Sequence, residues 1–133
     1  MEMATFAVEN GYAEGILRGL RSGFLTEPQY MQAKNCGNLG ELKSFLEDTD
    51  YGPYMLTEGP NMPISLLRSR LKKKLAEEID YVSSNATGVL CELIEIMSIR
   101  YQIDNVVNLI EGLKNKVDYE ILMANIDPLG YFP

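Results

Sequence analysis

Histidine is absent from the 133 residues. That removes the side chain most used as a general base near neutral pH, and the commonest transition-metal ligand. No serine, threonine or cysteine has an imidazole to activate it. Glu92 and Glu95 stand three residues apart on one helix face, but the Glu-x-x-His pairs of di-metal helical bundles cannot be completed around them. They read as part of a solvated polar stripe. Cysteine is scarce: Cys36 and Cys91 are the two in the chain, with no CxxC. Two scattered cysteines point to a reducing compartment and not to a disulfide framework. Cys91 reads as a small core residue. Basic residues are outnumbered, 12 against 19 acidic, for a net charge of −7. That excludes general nucleic-acid binding, which rests on phosphate neutralisation by Lys and Arg. No GxxxxGK[ST] occurs, so no phosphate loop is predicted. No stretch approaches the roughly 20 uninterrupted apolar residues of a bilayer span. Met1 to Ala4 has neither a basic n-region nor an apolar h-region, and no secretory signal is predicted. The sequon Asn85-Ala86-Thr87 is expected to go unused in a cytosolic chain. Catalysis, a cofactor and a resident metal are none of them expected.

Sustained β-alternation is also missing, and helical periodicity takes its place. The prediction is one all-α domain over residues 1–133, a helical bundle of six helices of unequal length. The dominant element is Ala86 to Leu113. Val89, Leu90, Leu93, Ile94, Met97, Tyr101, Ile103, Val107 and Ile110 recur at three- and four-residue steps. A narrower polar stripe runs through Glu92, Glu95, Ser98, Gln102, Asn105 and Asn108. Glu92, Glu95, Arg100 and Asp104 rule it out as a membrane span. So little polar surface predicts a helix buried on most sides, roughly 40 Å long, at the centre of the domain.

Asn10 to Ser22 is predicted as the first helix, capped by Asn10, with Tyr12, Ile16 and Leu20 on one face. Glu14 and Arg18 form a correctly oriented i,i+4 pair. Gly11, Gly15, Gly19 and Gly23 recur every fourth residue. An interior glycine costs roughly 1 kcal/mol against alanine, so close approach of another backbone is expected to offset it. Thr26 caps a short helix to Lys34 with Pro28 in its first turn. Asn38-Leu39-Gly40-Glu41 has capping-box spacing and opens another to about Glu47. Thr49 to Asn61 is irregular, with turns at Gly52-Pro53 and Gly59-Pro60. Its Tyr51, Tyr54, Met55 and Leu56 are either pinned to the domain or a partner contact. Pro63 opens a helix with Ile64, Leu67, Leu71, Leu75, Ile79 and Val82 inward. Its outer face carries Arg68, Arg70, Lys72, Lys73 and Lys74, then Glu77, Glu78 and Asp80. Residues 63–88 carry +2, against −5 before and −4 after. This basic run is a solvated face or a contact for an acidic protein surface or anionic headgroups. A short helix near Val117 to Ala124 and a turn at Asp127-Pro128-Leu129-Gly130 close the chain. Periodicity and composition by themselves reach no further than an acidic helical interaction domain.

Four segments in order carry a resemblance. They are Asn10-Gly11-Tyr12-Ala13-Glu14-Gly15 with Arg18-Gly19-Leu20 and Gly23, then Asp50-Tyr51-Gly52, then Tyr101-Gln102-Ile103-Asp104-Asn105-Val106-Val107, then Pro128-Leu129-Gly130. Each motif is weak, but the ordered set resembles the N-terminal part of the subunit d family of vacuolar-type (V-type) proton ATPases, which is related to the corresponding family in archaeal-type rotary ATPases. The resemblance implies part of an all-α, funnel-shaped protein of three similar helical parts, of which this chain would be a truncated portion. It implies a non-catalytic role in the membrane sector, on the cytoplasmic face of vacuolar or other endomembranes. The partners implied are the proteolipid ring and central-stalk subunits, with rotation passed from stalk to ring for proton transport. Attachment would be peripheral, through protein contacts. Within that role, Tyr51 and Tyr54 in the loop and Arg68 to Lys74 on the basic face are the candidate contacts. A generic helical scaffold or adaptor is the alternative.

Overall fold

The computed structural model describes residues 2–56, 59 and 62–130. Helices and turns make up the fold, with no strand among the described residues, so the class is all-α as predicted. The helices are α1 (Glu2–Ser22), α2 (Glu27–Lys34), α3 (Leu39–Glu47), α4 (Gly52–Met55), α5 (Ile64–Ser84), α6 (Val89–Lys114) and α7 (Tyr119–Ala124), followed by a 3-10 turn at Pro128–Gly130. The chain forms two compact units, Met1–Lys74 and Leu75–Pro133, and the boundary falls inside α5. The predicted turn at Pro60 and the terminal Tyr131-Phe132-Pro133 lie outside the described residues.

In the first unit, α1 begins at Glu2, eight residues before the expected cap. Met, Ala and Glu in this stretch are good helix formers, so no cap is needed at residue 10. Asn10 is therefore mid-helix and buried, as is Ala13, while Tyr12 points outward. The short helices start as their sequences dictate. Gln29 Oε1 accepts from the Thr26 amide at 2.8 Å, the return half of a capping box. Asn38 Oδ1 accepts from the Glu41 amide at 2.9 Å. The tyrosine loop is more ordered than predicted, because Gly52-Pro53-Tyr54-Met55 closes a helical turn, α4. Leu46, Met55, Met62 and Leu67 form the core of this unit, with Leu42, Phe45, Tyr51, Tyr54 and Leu71 against it. Met55 has no exposed surface. Burial of a side chain of that size contributes about 1.5–3 kcal/mol.

The second unit comprises the end of α5, α6, α7 and the 3-10 turn. Gly88 precedes α6 with φ +56°, a left-handed conformation open to glycine at little cost. At the other end the Lys116 amide donates to the Leu113 carbonyl at 3.1 Å and the Val117 amide to the Gly112 carbonyl at 2.9 Å. That is a Schellman closure. Its left-handed residue, Lys116 at φ +54°, is not a glycine.

The rotation of α6 departs from the expectation. Its buried residues are Asn105 and Gly112, and Ser98 and Gln102 are partly covered, so the middle of the polar stripe turns inward while Glu92, Glu95 and Asn108 stay exposed. Most of the apolar stripe faces out, with Val89 69% exposed, Ile103 56% and Ile110 60%, while Leu90, Ile94 and Tyr101 are partly covered. The predicted central core helix is thus a half-covered one. Periodicity identifies an apolar stripe but not which side the rest of the chain packs on. Here hydrogen bonding to the last turn decides it. No described helix is long and apolar enough to cross a membrane.

Candidate functional site

The most constrained point of the second unit is the junction between α6 and the 3-10 turn. Asn105 is 4% exposed. Its Nδ2 donates to the Asp127 carbonyl at 2.9 Å and to the Gly130 carbonyl at 3.1 Å. Its Oδ1 accepts from the Asp127 amide at 2.8 Å. One carboxamide thus uses both donors and its acceptor on a turn more than twenty positions away, which leaves little of its polar surface unsatisfied. The Asp127 side chain completes the turn, its Oδ1 accepting from the Leu129 amide at 3.1 Å. Gly130 is dictated by proximity, because a Cβ there would run into the Tyr101 carbonyl. Gly112 is less firmly constrained, because a Cβ there would meet only the end of the Leu122 side chain of α7.

Tyr101, Asn105 and the Pro128-Leu129-Gly130 motif, singled out separately in sequence, therefore make one structure. Asp104, their neighbour, is exposed, about 100° around α6 from Asn105. Sequence reasoning missed the roles of Asp127 and Gly130. The available signal was Asp two positions ahead of an amide in a Pro-Leu-Gly turn, an Asx-turn pattern. A cleft of about 560 Å³ lies beside this junction, lined by Ile79, Asp80 and Ser83 of α5, Glu95 and Ser98 of α6, and Pro128. Among the described residues no group of three His, Cys, Asp or Glu could hold a metal ion.

In the first unit, Asp50 and Gly23 form a second pair of distant motif residues. A Cβ on Gly23 would collide with the Asp50 carboxylate. Gly52 is more firmly constrained, because a Cβ there would meet the Glu47 carbonyl, which is backbone. The expected glycine ladder behaves differently. At Gly11, Gly15 and Gly19 nothing lies within 4 Å of the place a Cβ would take, so no approach of the described backbone offsets their cost. Glu14 and Arg18 do pair, at 2.6 Å, on the exposed surface of α1.

The basic run divides. Arg68 and Lys73 are exposed, and Arg70 and Lys72 are partly covered. Lys74 does not belong to an outer face: it is 5% exposed, with its ammonium 4.9 Å from the centre of the Tyr51 ring. Seven residues bring a helix almost back to the same side, so Lys74 follows the buried Leu67 inward. Tyr51 and Tyr54 are packed against the core and Leu56 is left outside. Cys91 is not fully buried, and its thiol lies 3.7 Å from Glu95 Oε1.

The sequence model of the ATP synthase (C/AC39) subunit family matches residues 13–133, a span containing the Asn105 junction and the Gly23–Asp50 contact. The chain belongs to the ATP synthase (C/AC39) subunit family. Named relatives agree. It is 36% identical over 132 residues to the V-type proton ATPase subunit d of Neurospora crassa, covering 99% of this chain and 36% of that protein. It is 32% identical over 133 residues to the V-type proton ATPase subunit d of Saccharomyces cerevisiae, covering 99% of this chain and 39% of that one. A probable V-type proton ATPase subunit d of Oryza sativa is 33% identical over 131 residues, covering 98% and 37%. The chain thus spans a little over a third of the length of these relatives.

Proposed function

We propose that this chain serves as a non-catalytic part of the membrane sector of a V-type proton ATPase, on the cytoplasmic face of an endomembrane. In that role it contributes to the contact through which central-stalk rotation reaches the proteolipid ring. The observation that carries this reading is the pairing of family markers. Tyr101 and Asn105 meet Gly130, and Gly23 meets Asp50, so the markers act as joints that set helix positions. A subunit that transmits torque needs stiff joints and broad protein contacts more than a reactive group. The exposed Arg68 and Lys73 and the outward Leu56 are the surface elements most available to such partners.

The test is assembly. The tagged chain, expressed in Saccharomyces cells lacking their own subunit d, is purified from solubilised vacuolar membranes. Co-purification of proteolipid or central-stalk subunits is the expected result. Recovery of the folded chain without either would overturn the proposal and favour a scaffold outside the rotary ATPase.

A further inference from the structure

One step of the backbone carries a chemistry that the fold holds in check. Asn10-Gly11 is the one Asn-Gly step in the chain. In a loose segment, the amide nitrogen that follows an asparagine can attack that asparagine's own carboxamide. The attack is easiest when glycine supplies the nitrogen, because no Cβ stands in the way. A helix suppresses it. Helical ψ, about −42°, turns the nitrogen away from Cγ, and its hydrogen is held by the carbonyl four residues back. Asn10 lies in α1, which begins at Glu2. Ala7, Val8 and Glu9 fall on three different sides of that helix, and all are exposed. Among the described side chains of α1, burial begins at Asn10, 5% exposed, and continues at Ala13, which is fully buried. A helical segment with no packed face gains almost nothing per residue, so the turns before Asn10 melt and re-form readily. Gly11 adds no obstacle, since nothing lies within 4 Å of the place its Cβ would take. Asn38, Asn85, Asn105 and Asn125 differ: their carboxamides are hydrogen-bonded to backbone groups, and each precedes a residue with a side chain.

We propose that Asn10 is a site of spontaneous isoaspartate formation, opened by fraying of the turns of α1 that precede it. The Gly11 nitrogen bonds to Cγ of Asn10 and gives up its proton. The Cγ–Nδ2 bond breaks, and the carboxamide nitrogen leaves with that proton as ammonia. The product is a five-membered succinimide. Water then opens the ring at either carbonyl. Opening at the main-chain carbonyl of Asn10 leaves the chain running through Cγ, one atom longer, with a free α-carboxylate; this is isoaspartate. Opening at Cγ gives aspartate. Nothing is oxidised or reduced, and water is the co-reactant. Either product sets a carboxylate where the folded helix leaves 5% of the residue exposed, so the altered turn resists repacking. Isoaspartate also breaks the register of the helical ladder. The reaction thus makes a transient opening of α1 permanent, and it takes the net charge from −7 to −8.

Ageing the folded 133-residue chain in mildly alkaline buffer tests this. Isoaspartate is read by transfer of a labelled methyl group from S-adenosylmethionine by isoaspartyl methyltransferase, and it is placed by peptide mass mapping. The expected result is label at residue 10 ahead of every other asparagine, accumulating more slowly than in the same chain held unfolded in urea. Gly11→Ala is expected to slow labelling at least about fivefold through helix propensity alone. Ala7→Gly, at an exposed position before the site, is expected to speed it about fivefold. Leu46→Val loosens the core elsewhere in the unit and is expected to leave the rate within about twofold, because local fraying does not require global unfolding. A folded chain that gains no label at residue 10 while the urea-unfolded chain does overturns the proposal. So does a rate indifferent to Gly11→Ala. Acceleration by Leu46→Val equal to that by Ala7→Gly overturns fraying as the gate. None of these outcomes bears on association with a proteolipid ring.

Discussion

Asn105 and Gly130 are joined by a hydrogen bond of 3.1 Å across 25 positions of sequence, and the same carboxamide also grips Asp127 through both its amide and its carbonyl. Asn105→Ala removes three hydrogen bonds and takes a partner from two carbonyls and an amide, a loss of about 2–4 kcal/mol. Asn105→Asp is expected to be worse despite its matching shape, because a carboxylate would face the two carbonyl oxygens. Denaturant titration gives the order, and hydrogen exchange at the Asp127 amide shows whether the last turn has detached.

Glycines that look alike in sequence should respond oppositely to alanine. Gly15→Ala, in the open interior of α1, is expected to stabilise by about 0.5–1 kcal/mol. Gly52→Ala drives a methyl group into the Glu47 carbonyl and is expected to destabilise by about 2–3 kcal/mol, since backbone cannot swing aside. Thermal melts of the two variants test the contrast directly. If Gly15→Ala instead lowers assembly with a rotary ATPase while raising stability, the ladder faces a partner and not this chain.

Lys116 ends α6 in the left-handed region at φ +54°, where a side chain is strained. Lys116→Gly is expected to stabilise the chain by about 0.5–1 kcal/mol while keeping the closure onto Gly112 and Leu113. An unchanged midpoint in urea would show that the lysine side chain compensates the backbone cost.

The basic run of α5 should separate by depth. Charge reversal at the exposed Arg68 and Lys73 is expected to leave helicity and melting temperature within experimental scatter while weakening assembly. Lys74→Glu buries a carboxylate against the Tyr51 ring and is expected to lower stability by about 2 kcal/mol or more. Equal melting temperatures for the two variants would return Lys74 to the surface.

What sequence revealed followed the range of the interactions. The starts of α2 and α3 were legible because a cap is decided within three residues, as Thr26 with Gln29 and Asn38 with Glu41 show. The Glu14–Arg18 pair was legible for the same reason. The start of α1 was not, because a capping residue such as Asn10 is equally at home buried mid-helix once good helix formers precede it. The turn α4 was hidden by Gly52-Pro53, which signals a break as readily as a helical first turn. Most instructive is α6. Its stripes were visible, but the inward one was chosen by Asn105 and the last turn, a contact spread over more than twenty residues. The family markers pointed to both ends of that contact without showing that they touch.

A helix fixed by apolar packing can roll a little at small cost, since dispersion contacts have no direction. A helix fixed by a carboxamide with three bonds cannot, because each bond loses strength as its angle opens. Asn105 therefore sets the azimuth of α6 as a key sets a shaft. A roll of about 20° would carry Ile103 about 2 Å sideways at the helix surface, enough to lift one row of side chains out of its groove. The bearing that α6 presents to whatever meets it is aligned from behind, by a residue that the partner never touches.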